Sequence, residues 1–278
     1  MIDAHQHCWR IGENDCCWPT SDLTGIYRHF ELDDLHQETQ KAGVKGTVLV
    51  QSQESDRDTD YLLRLAQASD LIKAVVGWVD LTSSVAEERV NYLAAQPKFR
   101  GLRPMLQGLA DDHWILRHDI EPAIRAMIQG KLVFDALVFE RHLPYLHIFA
   151  RRHPELSIVI DHAAKPAIKA GGFEQWSATI AAFAELPNVS CKLSGLLTES
   201  APEQGLDQIR PYVVHLYRIF GAERLLWGSD WPVLLLAENA QYNTYESWMG
   251  MARQLLPTTD ADELEHIFAL NAKRVYRL

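Results

Sequence analysis

Asp3, His5 and His7 alternate along the opening run Ile2-Asp3-Ala4-His5-Gln6-His7. An extended strand turns successive side chains to opposite faces, so these three would share one face. Two imidazoles held side by side can coordinate a divalent ion or hydrogen-bond a substrate oxygen. The plainer reading is two polar residues near a chain end. A third imidazole, His162, stands in Ile160-Asp161-His162-Ala163-Ala164-Lys165-Pro166, in step with Ile158 and Ile160. Strand alternation would then turn Asp161 the other way, towards an outer helix layer. Lys165 would fall in the following loop, either at a site or simply in solvent. Far down the chain, Trp227-Gly228-Ser229-Asp230-Trp231-Pro232 offers an aspartate able to take a proton from attacking water. The same aspartate could equally cap a turn. Gly228 would let another group come close, and Pro232 would end the strand. His5, His7, His162 and Asp230 are thus the candidate catalytic residues and the candidate metal ligands.

Six more positions fall near the ends of apolar runs. Arg103, after Gly101-Leu102, could hold an anionic or carbonyl oxygen. Lys192 and Ser194 alternate in Cys191-Lys192-Leu193-Ser194-Gly195. A lysine flanked by apolar strand residues is rarely free, so Lys192 is expected to be paired or functional. Asp135, in Phe134-Asp135-Ala136, could be its partner or a substrate contact. Gln51 and Trp78 complete the expected substrate-binding set.

These residues need elements that converge. Eight short apolar runs read as strands: Ile2–His7, Gly46–Gln51, Ala74–Leu81, Gly101–Met105, Leu132–Val138, Ser157–His162, Val189–Leu193 and Leu225–Ser229. Continuous apolar strands argue for a sheet buried on both faces. Amphipathic stretches lie between them, among them Thr59–Ala68, Ile120–Ile128, Leu146–Arg152 and Phe173–Leu186. Strand–helix alternation implies parallel βαβ units, and eight of them in 278 residues imply an α/β fold of the (β/α)8 TIM-barrel type. A doubly wound open sheet has the same rhythm, but no Gly-x-Gly-x-x-Gly turn follows the first strand. One domain over residues 1–278 is expected, with residues 8–31 and Leu234–Trp248 as loops covering the barrel mouth.

The formal charge is −10 and no long basic run occurs, which excludes a nucleic-acid footprint. No apolar run is long enough to cross a membrane. Cys8, Cys16, Cys17 and Cys191 form no Cys-x-x-Cys or zinc-finger spacing and suit a reducing compartment. The opening residues have neither a basic nor an apolar leader region, so a cytoplasmic location is expected. The pattern sets no oligomeric state.

With these residues in place the chain resembles the amidohydrolase superfamily, and within it the amidohydrolase-2 group that contains sugar-lactone hydrolases. The matching pieces are IDAHQHCW, VVGWVDL, FRGLRPMLQ, IDHAAKP, NVSCKLSGLLTE and LLWGSDWPV, in order along almost the whole chain. The resemblance implies a (β/α)8 barrel, hydrolysis of a small lactone, and His5, His7, His162 and Asp230 as the mouth cluster, with Asp230 as proton acceptor. Binuclear members of the superfamily carry a lysine or glutamate on the fourth strand and a histidine on the fifth. Here Arg103 and Asp135 stand there, so a bridged two-metal centre is not expected. Either no metal is required, as in some related lactonases, or one divalent ion, zinc or manganese, is held. Two competing readings are a metal-dependent decarboxylase of the same superfamily and a barrel that only binds a small molecule. A polyanionic lactone would call for several arginines at the mouth. A neutral, hydroxyl-rich ring suits the Trp, Gln, Asp and His present, so the partner expected is a small-molecule lactone.

Overall fold

The computed structural model describes residues 1–278. Its eight strands are β1 (Asp3–Gln6), β2 (Thr47–Val50), β3 (Ile72–Gly77), β4 (Phe99–Leu102), β5 (Val133–Ala136), β6 (Ile158–Ile160), β7 (Val189–Leu193) and β8 (Leu225–Trp227). All neighbouring pairs are parallel, in the order β1 to β8. The seam closes just above β1 and β8. There Gln6 bridges Trp231, His7 N donates to Trp231 O at 2.8 Å, and Asp230 N donates to His5 O at 2.9 Å. The eight-stranded barrel expected from the alternation is therefore present.

The helices α1 (Leu32–Ala42), α2 (Asp56–Ala68), α3 (Ala86–Ala94), α4 (Glu121–Gln129), α5 (Leu143–Arg152), α6 (Phe173–Ile180), α7 (Leu206–Phe220) and α8 (Tyr245–Leu255) alternate with the strands. Strand side chains part into two cores. Leu49, Val75, Phe134, Ile158, Leu193 and Trp227 join the large cluster shared with the helices. Val48, Val50, Ala74, Val76, Val133 and Leu226 form a second, smaller cluster, closed by Ala272, Val275 and Tyr276 of the last helix, α9 (Asn271–Tyr276). No helix is long and apolar enough to cross a membrane.

Three differences from the expected elements bear on the site. Strand β6 stops at Ile160, short of His162. The segment expected to cover the mouth as one loop, Leu234–Trp248, is a loop only in its middle, because a 3-10 turn runs through Val233–Leu236 and α8 begins at Tyr245. Strand β1 carries an extra residue against β2: Asp3 pairs with Thr47, but Gln6 pairs with Leu49. Such a bulge switches the face of every residue on one side of it. Asp3 is accordingly parted from the two histidines.

Candidate active site

Asp3 instead ties the seam. Its carboxylate accepts from Ser229 Oγ at 2.6 Å, Ser229 N at 2.9 Å, His5 N at 3.1 Å and the Tyr245 hydroxyl of α8 at 2.7 Å. Burial raises the Asp3 carboxyl to about 6 against the pull of these donors. The expected shared face of Asp3, His5 and His7 is thus corrected to a seam residue and two site residues.

His5 and His7 meet through their Nε2 atoms at 3.1 Å. Asp230 Oδ1 lies 3.4 Å from His7 Nε2 and 3.6 Å from His5 Nε2, and Asp230 Oδ2 lies 3.8 Å from His162 Nδ1. All four side chains are buried. Strand alternation does not bring His162 here. His162, Ala163, Ala164 and Lys165 all have left-handed φ, between 48° and 59°, so the chain coils sharply as it leaves β6. That turn brings both Asp161 and His162 inward, and Asp161 is not directed to the helix layer as strand continuation would have it. Gly195 makes room for it: a Cβ there would stand 2.7 Å from the His162 ring. Gly228 serves His5 likewise, with 2.9 Å left to its Cβ.

A second polar cluster lies beneath. Lys192 Nζ is 2.5 Å from Asp135, 2.9 Å from Asp161 and 3.1 Å from His5 Nδ1, with every member fully buried. The Tyr276 hydroxyl donates to both Asp135 oxygens at 2.9 Å. Arg103 Nη1 stands 3.4 Å from Asp161 and its Nη2 donates to the Gln51 carbonyl. Gln51 Nε2 returns a bond to Arg103 O at 2.7 Å. Burial alone would discharge Lys192, but Asp135 and Asp161 outweigh it and hold the ammonium charged. Burial would likewise raise Asp161, but Lys192 and His5 hold it well below the usual carboxylate range.

These contacts set the tautomers. A charged Lys192 can only donate, so it takes the lone pair of His5 Nδ1 and leaves the proton on His5 Nε2. His7 Nδ1 donates to Val50 O at 2.8 Å, which leaves a lone pair on Nε2 to accept from His5. Burial lowers the affinity of all three imidazoles for a second proton, and His162 falls to about 4 despite Asp230 nearby. For Asp230 burial acts upward, but the neighbouring imidazoles, His162 first and then His7 and His5, together hold it well below the usual range.

Above the cluster opens a cavity of about 900 Å³. His7, His162, Asp230 and Arg103 line it. Trp18, Cys17 and Leu23 of the long first loop, Gln53, and the Lys165–Glu199 pair at 3.8 Å belong to its walls. His5 does not face it, nor do four of the five expected substrate contacts. Lys192 and Asp135 pair below the floor, Gln51 holds Arg103, and Trp78 lies beside Thr59 of α2 through its backbone. Arg103 alone of that set reaches the lining. Trp18 belongs to the loop expected over the mouth, whereas Gln53 and Glu199 were missed because nothing in their local sequence points to a loop neighbour some 35 residues away.

Two groups of donors could hold a metal: His5, His7 and Asp230, and His5, Asp161 and His162, the ligand atoms of each lying within 4.8 Å of one another. Both need His5. The first fits a borderline divalent ion such as zinc, since His7 Nδ1 is already oriented by a carbonyl and Nε2 carries a lone pair. His5 would join as a ligand once its proton shifted from Nε2 to Nδ1, where Asp161 Oδ1 stands 3.5 Å away to accept it.

The pattern of the amidohydrolase family matches residues 2–278. An L-fucono-1,5-lactonase of Burkholderia ambifaria is 48% identical over 278 residues, covering all of this chain and 95% of that protein. An L-fucono-1,5-lactonase of Burkholderia multivorans is 36% identical over 247 residues, 85% of this chain and 83% of that one. The crystal structure of an amidohydrolase from Burkholderia multivorans with bound zinc superposes with a TM-score of 0.91 at 34% identity, over 100% of this chain and 99% of that one.

Proposed function

We propose, on the premise that the chain belongs to the amidohydrolase family, that it hydrolyses a sugar lactone to the open hydroxy acid, with L-fucono-1,5-lactone and aldonolactones of like shape as substrates. The observation that carries this reading is Asp230: an ionised carboxylate among three neutral imidazoles, on the floor of a cavity with room for a sugar ring. Full-length likeness to an L-fucono-1,5-lactonase supports it.

Asp230 takes a proton from water as the water oxygen attacks the lactone carbonyl carbon. Negative charge grows on the carbonyl oxygen, where the buried Arg103 guanidinium stabilises it. His162 assists: pairing of Nδ1 with Ser194 Oγ at 2.9 Å keeps its ring in place at the wall. The tetrahedral intermediate collapses by breaking the bond to the ring oxygen, which receives the proton held by Asp230. Water is consumed and one new carboxylic acid is formed. His5 and Lys192, below the floor, position His7 and Asp230 rather than touch the ring.

A single divalent ion would be held by His7, Asp230 and His5, and would supply Lewis-acid activation of water or carbonyl when bound. Elemental analysis of the purified protein should return no more than one equivalent of zinc or manganese per chain, and two equivalents would break this assignment.

The lining favours a neutral ring. Asp15, Glu54, Glu199 and Asp230 face the cavity against Arg103 and Lys165 as cations, a poor setting for a polycarboxylate. A panel of aldonolactones in weak buffer with a pH indicator tests the reading: acid should be released with no gas. Carbon dioxide with proton uptake would instead place the chain among the decarboxylases, and silence on every lactone would overturn the proposal.

A further inference from the structure

The segment that follows β2 does more than end a strand. Gln51 is locked to Arg103, as described above, and Gln53 sits two residues on, 3% exposed, between the barrel and the long first loop. Its side-chain oxygen accepts from Cys17 N at 3.1 Å and Trp18 N at 3.2 Å. Its side-chain nitrogen donates to Trp18 O at 2.7 Å and Ser52 Oγ at 2.9 Å. The amide orientation is not arbitrary, because a flipped amide would set N–H against N–H and oxygen against oxygen. One primary amide thereby reads both backbone groups of Trp18, as a neighbouring strand would.

An amide has two acceptor lone pairs and two donor hydrogens. In Gln53 all four are taken by the protein, so none is left for a ligand although the residue borders the cavity. The backbone of the segment is fixed as well: Ser52 N and Gln53 N donate to Asp58 of α2 at 3.3 and 3.4 Å. The two residues it grips, Cys17 and Trp18, both line the cavity, and the Trp18 ring packs edge to face on the buried Trp9 at 5.4 Å. Loop closure over a mouth costs chain entropy that buried hydrogen bonds must offset. Other ties of this loop to α2 and its N-cap lie nearer the rim: Asp15 accepts from Ser55 Oγ, and the exposed contacts of Arg57 with Asp15 and of Arg64 with Asn14 count for little.

We infer that Gln53 is a positioning residue for substrate binding: it holds the Cys17–Trp18 segment as the preformed wall of the cavity. This deepens the lactonase reading and rests on it for the kinetic part. Because the wall is not at the reacting atoms, its loosening weakens binding of substrate and transition state alike, which shows in KM rather than in kcat.

The test uses Gln53→Ala and Gln53→Glu in the full chain. Gln53→Glu keeps an acceptor for the two amides but has no donor for the Trp18 carbonyl, and it gives the same readouts if Gln53→Ala does not fold. Deuterium exchange of peptides over residues 14–20 should speed up by about tenfold or more, with the rest of the barrel unchanged. KM for the best aldonolactone should rise about tenfold while kcat stays within about threefold. In a Trp18→Ala background, Gln53→Ala should change KM by less than about twofold, because the wall it positions is already gone. Unchanged exchange, or KM effects that simply multiply in the double variant, would overturn the proposal. Wild-type inactivity on every lactone would overturn the functional reading, and the exchange experiment then decides the clamp alone.

Discussion

The barrel holds two polar clusters, one stacked on the other, and they are built to different tolerances. In the lower one Lys192 meets Asp135, Asp161 and His5 at 2.5, 2.9 and 3.1 Å, and Tyr276 seals the far side. In the upper one Asp230 stands 3.4 to 3.8 Å from three imidazoles, close enough to feel them and too far for a full hydrogen bond to each. The lower groups are paired with each other at contact distance, Lys192 to Asp161 as an ion pair and Lys192 and Tyr276 to Asp135 through hydrogen bonds. The upper groups keep capacity for a molecule that arrives later. A tightly paired layer beneath a reachable, more loosely spaced one lets a site be both polar and preorganised.

The comparison is broken most directly at Asp230. Asp230→Asn keeps the shape but removes the proton acceptor, so turnover should fall by about 100- to 10,000-fold. Its melting temperature should move by no more than about 4 °C, since an unsaturated group holds little together. Near-normal turnover would make Asp230 a turn residue. The lower layer should answer in the opposite way. Lys192→Met strands two buried carboxylates, and urea titration should show a loss of about 3–5 kcal/mol. A loss below about 1 kcal/mol would mean that the lower layer is not what holds the floor.

A milder cut is Tyr276→Phe, which removes one hydroxyl from Asp135. It should cost about 2 kcal/mol in the same titration, the scale of a buried bond to a charged acceptor. The smallest effect is expected from pH. His162 is held down to about 4 by burial and Asp230 stays ionised below the ordinary carboxylate range, so kcat/KM should be nearly flat from pH 8 to 5 and fall only near pH 4. The sign for stability follows from His162. Between its unfolded value of 6.5 and about 4 the unfolded chain binds a proton that the folded one refuses, so this group's contribution is whole above 6.5 and is lost as pH falls through that window. An acid limb of activity centred near pH 6.5 would show that the His162 ring is not desolvated as the structure has it.

Much of the upper cluster was legible because strand ends in a parallel barrel all open on one face. Once eight strands are read, His5, His7 and Asp230 must meet, whatever their separation along the chain. His162 was found for the wrong reason. A strand continuing through Asp161 would have put the two side chains on opposite faces, but four left-handed residues follow β6 with no glycine among them to announce the turn. The extra residue in β1 is equally silent, since a period of two shows faces but not where the count slips. The role of Lys192 as a paired group was readable from its apolar flanks, whereas Tyr276, the other partner of Asp135, lies 141 residues from it and carries no local mark.

The carboxylates in the cavity wall have a further consequence for turnover. A lactone enters uncharged, and the reaction gives it a negative charge while the lining, with Asp15, Glu54, Glu199 and Asp230 against Arg103 and Lys165, remains acidic on balance. The ligand is thus welcomed in one ionic form and repelled in the next without any part of the protein having to move. Hydrolysis raises the free energy of its own product where that product sits, so the chemical step also drives the emptying of the site.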